Sequence, residues 1–230
     1  YLKNIDSLGA RSLSQAKQIK EILKLDKLPF VCNSGVPDEY LKNYRLNTEK
    51  YRNIKTWKIT YVGRLVSYKN IDSTIKALSE IKDVKWEFNI VGDGASRTEL
   101  EELAQKLNCA DKIHFWGRVS RDKVMQILED THIFVMISTN EIFGLVYLEA
   151  MAASCLTIAS KNGGVDGIIK CEKNGFLCEE GNDKELHSIL NRITKKEIDE
   201  ISNIVEMGYK TAREYSDSEV ARVYIKNITQ

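Results

Sequence analysis

Two groups of residues in this chain carry side chains suited to a phosphorylated ligand. The first is Gly63-Arg64-Leu65, with Lys69 five residues beyond Arg64. Arginine offers a planar fork to phosphate oxygens and lysine a mobile point charge, so together they could hold a diphosphate. The second runs from Ser138 to Glu149, where Glu141 and Glu149 flank Ile142-Phe143-Gly144-Leu145-Val146-Tyr147-Leu148. Gly144 lets the backbone approach a ligand closely. A helix that starts there aims its unpaired N–H groups at an anion. Glu149 falls about one turn into that helix, inside an apolar stripe, and a buried acid needs a partner. By residue type alone, the cations could equally be solvated loop residues, Glu149 a satisfied core acid and Glu141 a surface one.

The flanking pattern says what must position these groups. Trp57–Val62, Trp86–Val91, Lys112–Phe115, Ile133–Ile137, Cys155–Ala159 and Gly175–Cys178 read as strands. Helical spacing runs through Ile71, Ile75, Leu78 and Ile81 with Asn70 as N-cap, through Leu100, Leu103 and Leu107, and through Val124, Ile127 and Leu128. Leu145–Ala153 reads as a helix and Gly164–Ile169 as a helical turn. Helical patterns near Asp183–Arg192, Lys196–Tyr215 and Ser218–Ile228 close the chain, and another lies near Ser14–Leu25. Strand-helix alternation means a doubly wound parallel sheet, whose ligands bind at the carboxyl ends of the strands. Both groups follow strands, so both belong at that edge. Pro29 and Pro37 bracket a short strand and turn that read as a hinge.

Composition narrows the classes. The chain has 230 residues, 43% hydrophobic and 29% charged, with 34 basic and 33 acidic side chains and a net charge of +1. That balance argues against nucleic acid as a partner. Cys32, Cys109, Cys155, Cys171 and Cys178 form no Cys-x-x-Cys pair and read as reduced thiols of a cytoplasmic protein. His114, His132 and His187 lack metal-ligand spacing. Phe143–Ala159 is apolar but carries Glu149 at its middle, and a spanning helix needs about 20 apolar residues. Gly92-Asp93-Gly94 lacks the third glycine of a dinucleotide fingerprint, since Arg97 stands there, and reads as a turn with no ligand duty. Trp57, Trp86 and Phe88 read as core, and Lys195–Glu200 as a solvated helix face. No P-loop and no Asp-x-Asp motif occurs.

The blocks Gly63-Arg64-Leu65…Lys69, Gly92-Asp93-Gly94, Phe115-Trp116-Gly117-Arg118-Val119, Glu141…Glu149-Ala150-Met151-Ala152, Gly163-Gly164 and Asn174-Gly175-Phe176 stand in one order over residues 57–180. In that order they resemble the C-terminal domain of the retaining glycosyltransferases of family four, the group-one transferases of GT-B fold. The resemblance implies a Rossmann-like half of a GT-B fold. Arg64 and Lys69 would bind the donor diphosphate, with Glu141 on the donor sugar. The amides of Phe143, Gly144 and Leu145 would face sugar and phosphate, beside Gly63. Glu149 would accept from the ribose, and Trp116–Val119 would line the base pocket, largely through backbone. The family often has Gly and Pro where this chain has Ser154 and Leu156, and Pro-Glu where it has Asp166-Gly167. Ser154 in a left-handed helix end would cost about 1 kcal/mol.

The resemblance also implies an organisation. Residues 1–35 would be the tail of an N-terminal acceptor domain plus hinge, 36–195 the nucleotide-sugar domain, and 196–230 helices packing back toward the N-terminal side. The donor would be a UDP- or GDP-type sugar, with no cofactor and no metal. The acceptor would be a glycan or lipid-linked molecule in bacterial surface polysaccharide synthesis. The enzyme would be cytoplasmic, at the inner face of the membrane, with a peripheral membrane contact through the missing half. The chain starts at Tyr1 without Met and reads as a fragment or trimmed piece, incomplete without an N-terminal domain or partner chain. The alternatives are a non-catalytic donor-binding module and a nucleotide-sugar epimerase of the same fold.

Overall fold

A computed structural model describes residues 7–229. In chain order the elements begin with β1 (Gly9–Ala10), α1 (Leu13–Leu23), β2 (Phe30–Val31), α2 (Asp38–Asn43), β3 (Trp57–Val62) and α3 (Ile71–Ser79). They continue with β4 (Trp86–Val91), α4 (Arg97–Lys106), β5 (Ile113–Gly117), α5 (Arg121–Glu129), β6 (Ile133–Met136) and α6 (Leu145–Ala152). The last are β7 (Leu156–Ser160), β8 (Phe176–Cys178), α7 (Asp183–Thr194), α8 (Ile198–Glu214) and α9 (Asp217–Ile228).

Six strands form one parallel sheet in the order β5-β4-β3-β6-β7-β8. Every residue of β6 and β7 is buried, as continuous apolar runs in a sheet covered on both faces should be. Helices α3, α4 and α7 pack together on one face, while α6 and α8 pack on the other. α5 joins that second face, where the Cys155 thiol donates to the Leu128 carbonyl at 3.1 Å. Phe134 and Tyr147 meet edge to face, 5.8 Å apart, under the start of α6. Trp57, Trp86 and Phe88 are buried. Strand order reverses between β3 and β6, so the crevice at their carboxyl ends is the place such sheets offer a ligand.

The expected strands and helices are present, with informative exceptions. Asn70 precedes α3 as expected but does not cap it. Its backbone is left-handed (φ 52°), and its amide donates to the Ile137 carbonyl at 2.8 Å and to Thr139 Oγ1 at 3.0 Å. Residues 164–168 form the expected turn, closed by donation of Ile169 N–H to Val165 O at 3.1 Å, and it does not extend into a helix. Lys112 ends a 3-10 turn before β5 rather than starting the strand. Gly92-Asp93-Gly94 is more than a turn. A Cβ on Gly92 would lie 1.9 Å from the Gly63 carbonyl oxygen, so only glycine lets the loops after β3 and β4 cross there. Leu65 N–H donates to Asp93 O (3.1 Å) and Ser96 N–H to Leu65 O (3.0 Å), fastening the crossing.

β1 and β2 form a separate parallel pair. The chain returns to it at the other end. Val36 N–H donates to Tyr215 O (2.8 Å), Asp217 N–H donates to Val36 O (2.9 Å), and Tyr224 of α9 sits 6.1 Å from Phe30 of β2. α8 itself packs on α6 and β7. No residue of α9 is buried, and Val223, Tyr224, Ile225 and Ile228 are exposed. All five cysteines are free thiols, with Cys109, Cys155 and Cys178 buried. Among the described residues no helix is long and apolar enough to cross a membrane.

Candidate functional site

The loop after β3 is built from beneath. Tyr61 points its hydroxyl forward along the strand and donates to the Arg64 carbonyl at 2.9 Å, close under Gly63. Leu65 is fully buried, which pins the loop and leaves Arg64 exposed on its outer side. The Arg64 guanidinium donates to the Tyr68 hydroxyl at 2.9 Å and forms no ion pair among the described residues. A 3-10 turn, Ser67–Lys69, then swings Lys69 across the crevice.

There Lys69 Nζ meets Glu141 Oε2 at 2.5 Å, with the two side chains only 13% and 14% exposed. One comes from the loop after β3 and the other from the loop after β6, so the ion pair spans the switch point of the sheet. Two further bonds hold those loops together. Thr139 N–H donates to Tyr68 O at 2.8 Å, and the Asn70 amide reaches Ile137 O. Sequence spacing offers no sign of these bonds, or of the Tyr61 prop.

α6 begins at the far side of Glu141. Gly144 is its N-cap with φ 74°, and no side chain caps the helix. A Cβ at Gly144 would lie 2.5 Å from the Tyr147 ring, which is itself fixed by donation of its hydroxyl to Met136 O at 2.6 Å. Phe143 is buried, with Gly164 against its backbone. No acidic residue stands in the first turn. The amides of Phe143, Gly144 and Leu145 have no acceptor among the described residues, so the positive end of the helix faces the crevice uncompensated.

Glu149 lies a turn deeper, with its side chain 18% exposed. Its partner is Arg121 at the start of α5, whose Nη2 donates to Glu149 Oε1. Burial pushes the Glu149 carboxyl pKa up, and the Arg121 guanidinium works against that shift. The guanidinium also lies 4.4 Å from the Tyr40 ring centre. Trp116 does not turn its ring toward the strand ends. Its indole N–H donates to Asn89 Oδ1 at 2.8 Å and Lys123 covers its ring, so it packs on the sheet face beside α5. Gly117 (φ 66°) ends β5, and half-buried Val119 follows it in the loop before α5.

The model of the family described as glycosyl transferases group 1 matches residues 45–211, a span that contains Arg64, Lys69, Glu141 and Glu149. The chain belongs to the group 1 glycosyltransferases. Among relatives of this group 1 chain, an uncharacterized glycosyltransferase of Methanocaldococcus jannaschii is 34% identical over 139 residues, covering 60% of this chain and 38% of the relative. The N-acetyl-alpha-D-glucosaminyl L-malate synthase of Bacillus anthracis is 27% identical over 184 residues, covering 78% and 48%. The chain thus spans less than half the length of either relative. The crystal structure of Anabaena HepE in complex with UDP and glucose superposes with a TM-score of 0.84 at 19% identity, covering 99% of this chain and 64% of that one. Over that share of its length, the GT-B structure has the fold of this group 1 chain, one parallel sheet flanked by helices.

Proposed function

We propose that the chain is the donor-binding half of a retaining glycosyltransferase. It would move a hexose-type sugar from a UDP- or GDP-sugar to a glycan or lipid-linked acceptor. The observation that carries this reading is the juxtaposition at the switch point: Arg64, without an ion partner among the described residues, the Lys69–Glu141 pair, and the start of α6 that no side chain caps converge on one crevice. Loss of a nucleoside diphosphate builds negative charge on its phosphates, and fixed cations with preorganised amides stabilise such charge. Arg64, Lys69 and the amides of Phe143 to Leu145 would supply that stabilisation. Glu141, held by Lys69, would accept from hydroxyls of the donor sugar, while Glu149 would accept from the ribose.

A metal-independent reaction, a cytoplasmic location and a role in bacterial surface polysaccharide synthesis belong to the same proposal. Its first test is calorimetric titration of UDP, GDP and their sugars into the chain. Micromolar binding of one of them, weakened by Arg64→Ala and by Glu149→Ala, is expected. Unchanged affinity in both variants would sink the site assignment. Conversion of a labelled nucleotide sugar to an epimer would instead identify the chain as an epimerase of this fold.

The β1–β2 pair favours an incomplete catalytic unit. Parallel strands are normally covered on both faces, yet here they form a two-stranded sheet next to an α9 with no buried residue. Residues up to about 35, with α9, would belong to an acceptor-side domain or partner chain.

A further inference from the structure

Arg121 stands where a helix least favours a cation. It is the first residue of α5, directly after Ser120, whose hydroxyl accepts from Lys123 N–H at 3.3 Å. The positive end of the helix dipole disfavours a guanidinium there. A residue that breaks a local rule calls for a compensating partner. Two partners are present. The Tyr40 ring of α2 lies against the guanidinium, and Glu149 of α6 accepts from it. Arg121 therefore ties three helices together at the rim of the crevice, outside every motif block that marks the family.

The geometry on Glu149 is one-sided. Arg121 Nη2 uses Oε1, and among the described residues Oε2 has no hydrogen-bond partner. An ionised carboxylate has about four lone-pair sites, so most of its accepting capacity stays open to other donors. Among the described residues Arg121 is the one charged group acting on Glu149, while the buried Tyr44 faces the pair from the end of α2. We propose that Arg121 is a positioning residue of the donor site: braced on Tyr40, it aims the Glu149 carboxylate so that its open oxygen accepts from the ribose hydroxyls of the nucleotide. This rests on the reading that Glu149 contacts the ribose. Without the guanidinium, burial alone would act on Glu149, so its ionised form would be held less firmly as pH falls.

The test is calorimetric titration of UDP and of GDP into the chain across about pH 5 to 8, for the parent, Glu149→Gln, Arg121→Ala, Arg121→Lys and the Arg121→Ala/Glu149→Gln double variant. Glu149→Gln and Arg121→Ala are each expected to weaken binding about tenfold at neutral pH, the scale of one charge-assisted hydrogen bond. The Arg121→Ala loss should grow toward acid pH, Arg121→Lys should recover most of it, and the double variant should bind no worse than Glu149→Gln alone. Parent-like binding by Arg121→Ala beside a weakened Glu149→Gln overturns the role of Arg121 and leaves the donor site standing. Additive losses that are flat with pH overturn it too, because Arg121 would then touch the nucleotide itself. Parent-like binding by Glu149→Gln, or no binding of either nucleotide by the parent, removes the ribose reading and this proposal with it. If Arg121→Ala does not fold, Arg121→Gln, which keeps the side-chain stem against Tyr40, takes its place under the same criteria.

Discussion

Arg64 and Lys69 share one loop and one charge, and the structure gives them different tasks. Lys69 is paired and largely enclosed; Arg64 is exposed, and among the described residues its guanidinium hydrogen-bonds only the Tyr68 hydroxyl. Breaking a buried pair leaves the other charge uncompensated, so Lys69→Met should lower unfolding free energy by about 2–3 kcal/mol in urea titration. Arg64→Ala should leave it within about 0.5 kcal/mol while weakening nucleoside-diphosphate affinity more than about tenfold by calorimetry. Equal effects of the two changes on stability would contradict this division. The placement of both cations in the loop after β3 was legible from type and spacing. The Glu141 partnership was not, because Lys69 and Glu141 are 72 residues apart and only the strand order brings their loops together. Tyr61 reads as an ordinary core aromatic until its hydroxyl is seen under Arg64. Ser154 was legible in full: it is left-handed, φ 60°. Its hydroxyl also accepts from Asn47 N–H at 3.0 Å, a bond that offsets part of the cost.

At the scale of elements, apolar periodicity located every strand of the main sheet, because runs such as Ile133–Met136 are enclosed on both faces. It missed α2, a short helix with Leu41 alone buried, and it misjudged Asn70, whose side chain serves the neighbouring loop. The N-cap of α6 is Gly144, with no side-chain cap to help it. Gly144→Ala would combine a left-handed backbone with a Cβ pressed on an anchored Tyr147 ring. It should cost about 2 kcal/mol of stability in thermal unfolding and weaken nucleotide binding as well. At the opposite edge of the sheet, His132 is buried and neutral by geometry. Its Nδ1 accepts from Lys58 N–H at 2.9 Å, and Nε2 faces the Lys50 carbonyl at 3.1 Å. Burial, with nearby Lys50, brings its pKa down to about 4. Because the folded value lies below the unfolded one, this contribution is full above about pH 6.5 and is lost as pH falls toward 4. Urea titrations across that window should show a loss of about 3 kcal/mol, and His132→Gln should flatten it.

For the whole molecule, the proposed chemistry offsets phosphate charge with side chains and amides. Sugar transfer by the intact enzyme is therefore expected to persist in excess EDTA, and abolition by the chelator would assign the phosphates to a cation instead. Raised salt should weaken nucleotide affinity, since Arg64 is exposed and screened. The hydrogen bonds among Val36, Tyr215 and Asp217 bear on movement. The chain passes twice between the six-stranded sheet and the β1–β2 pair, and both passages are fastened to each other at one place. Val36 holds the two passages side by side there, through Tyr215 O and Asp217 N–H. α1 lies against the small cavity lined by Gln15, Gln18 and Glu141, with Ser14 donating to Gly163 O at 3.0 Å and Lys17 paired with Asp166 at 3.0 Å. Moving α1 would break those two contacts and change the lining of a cavity that Glu141 shares.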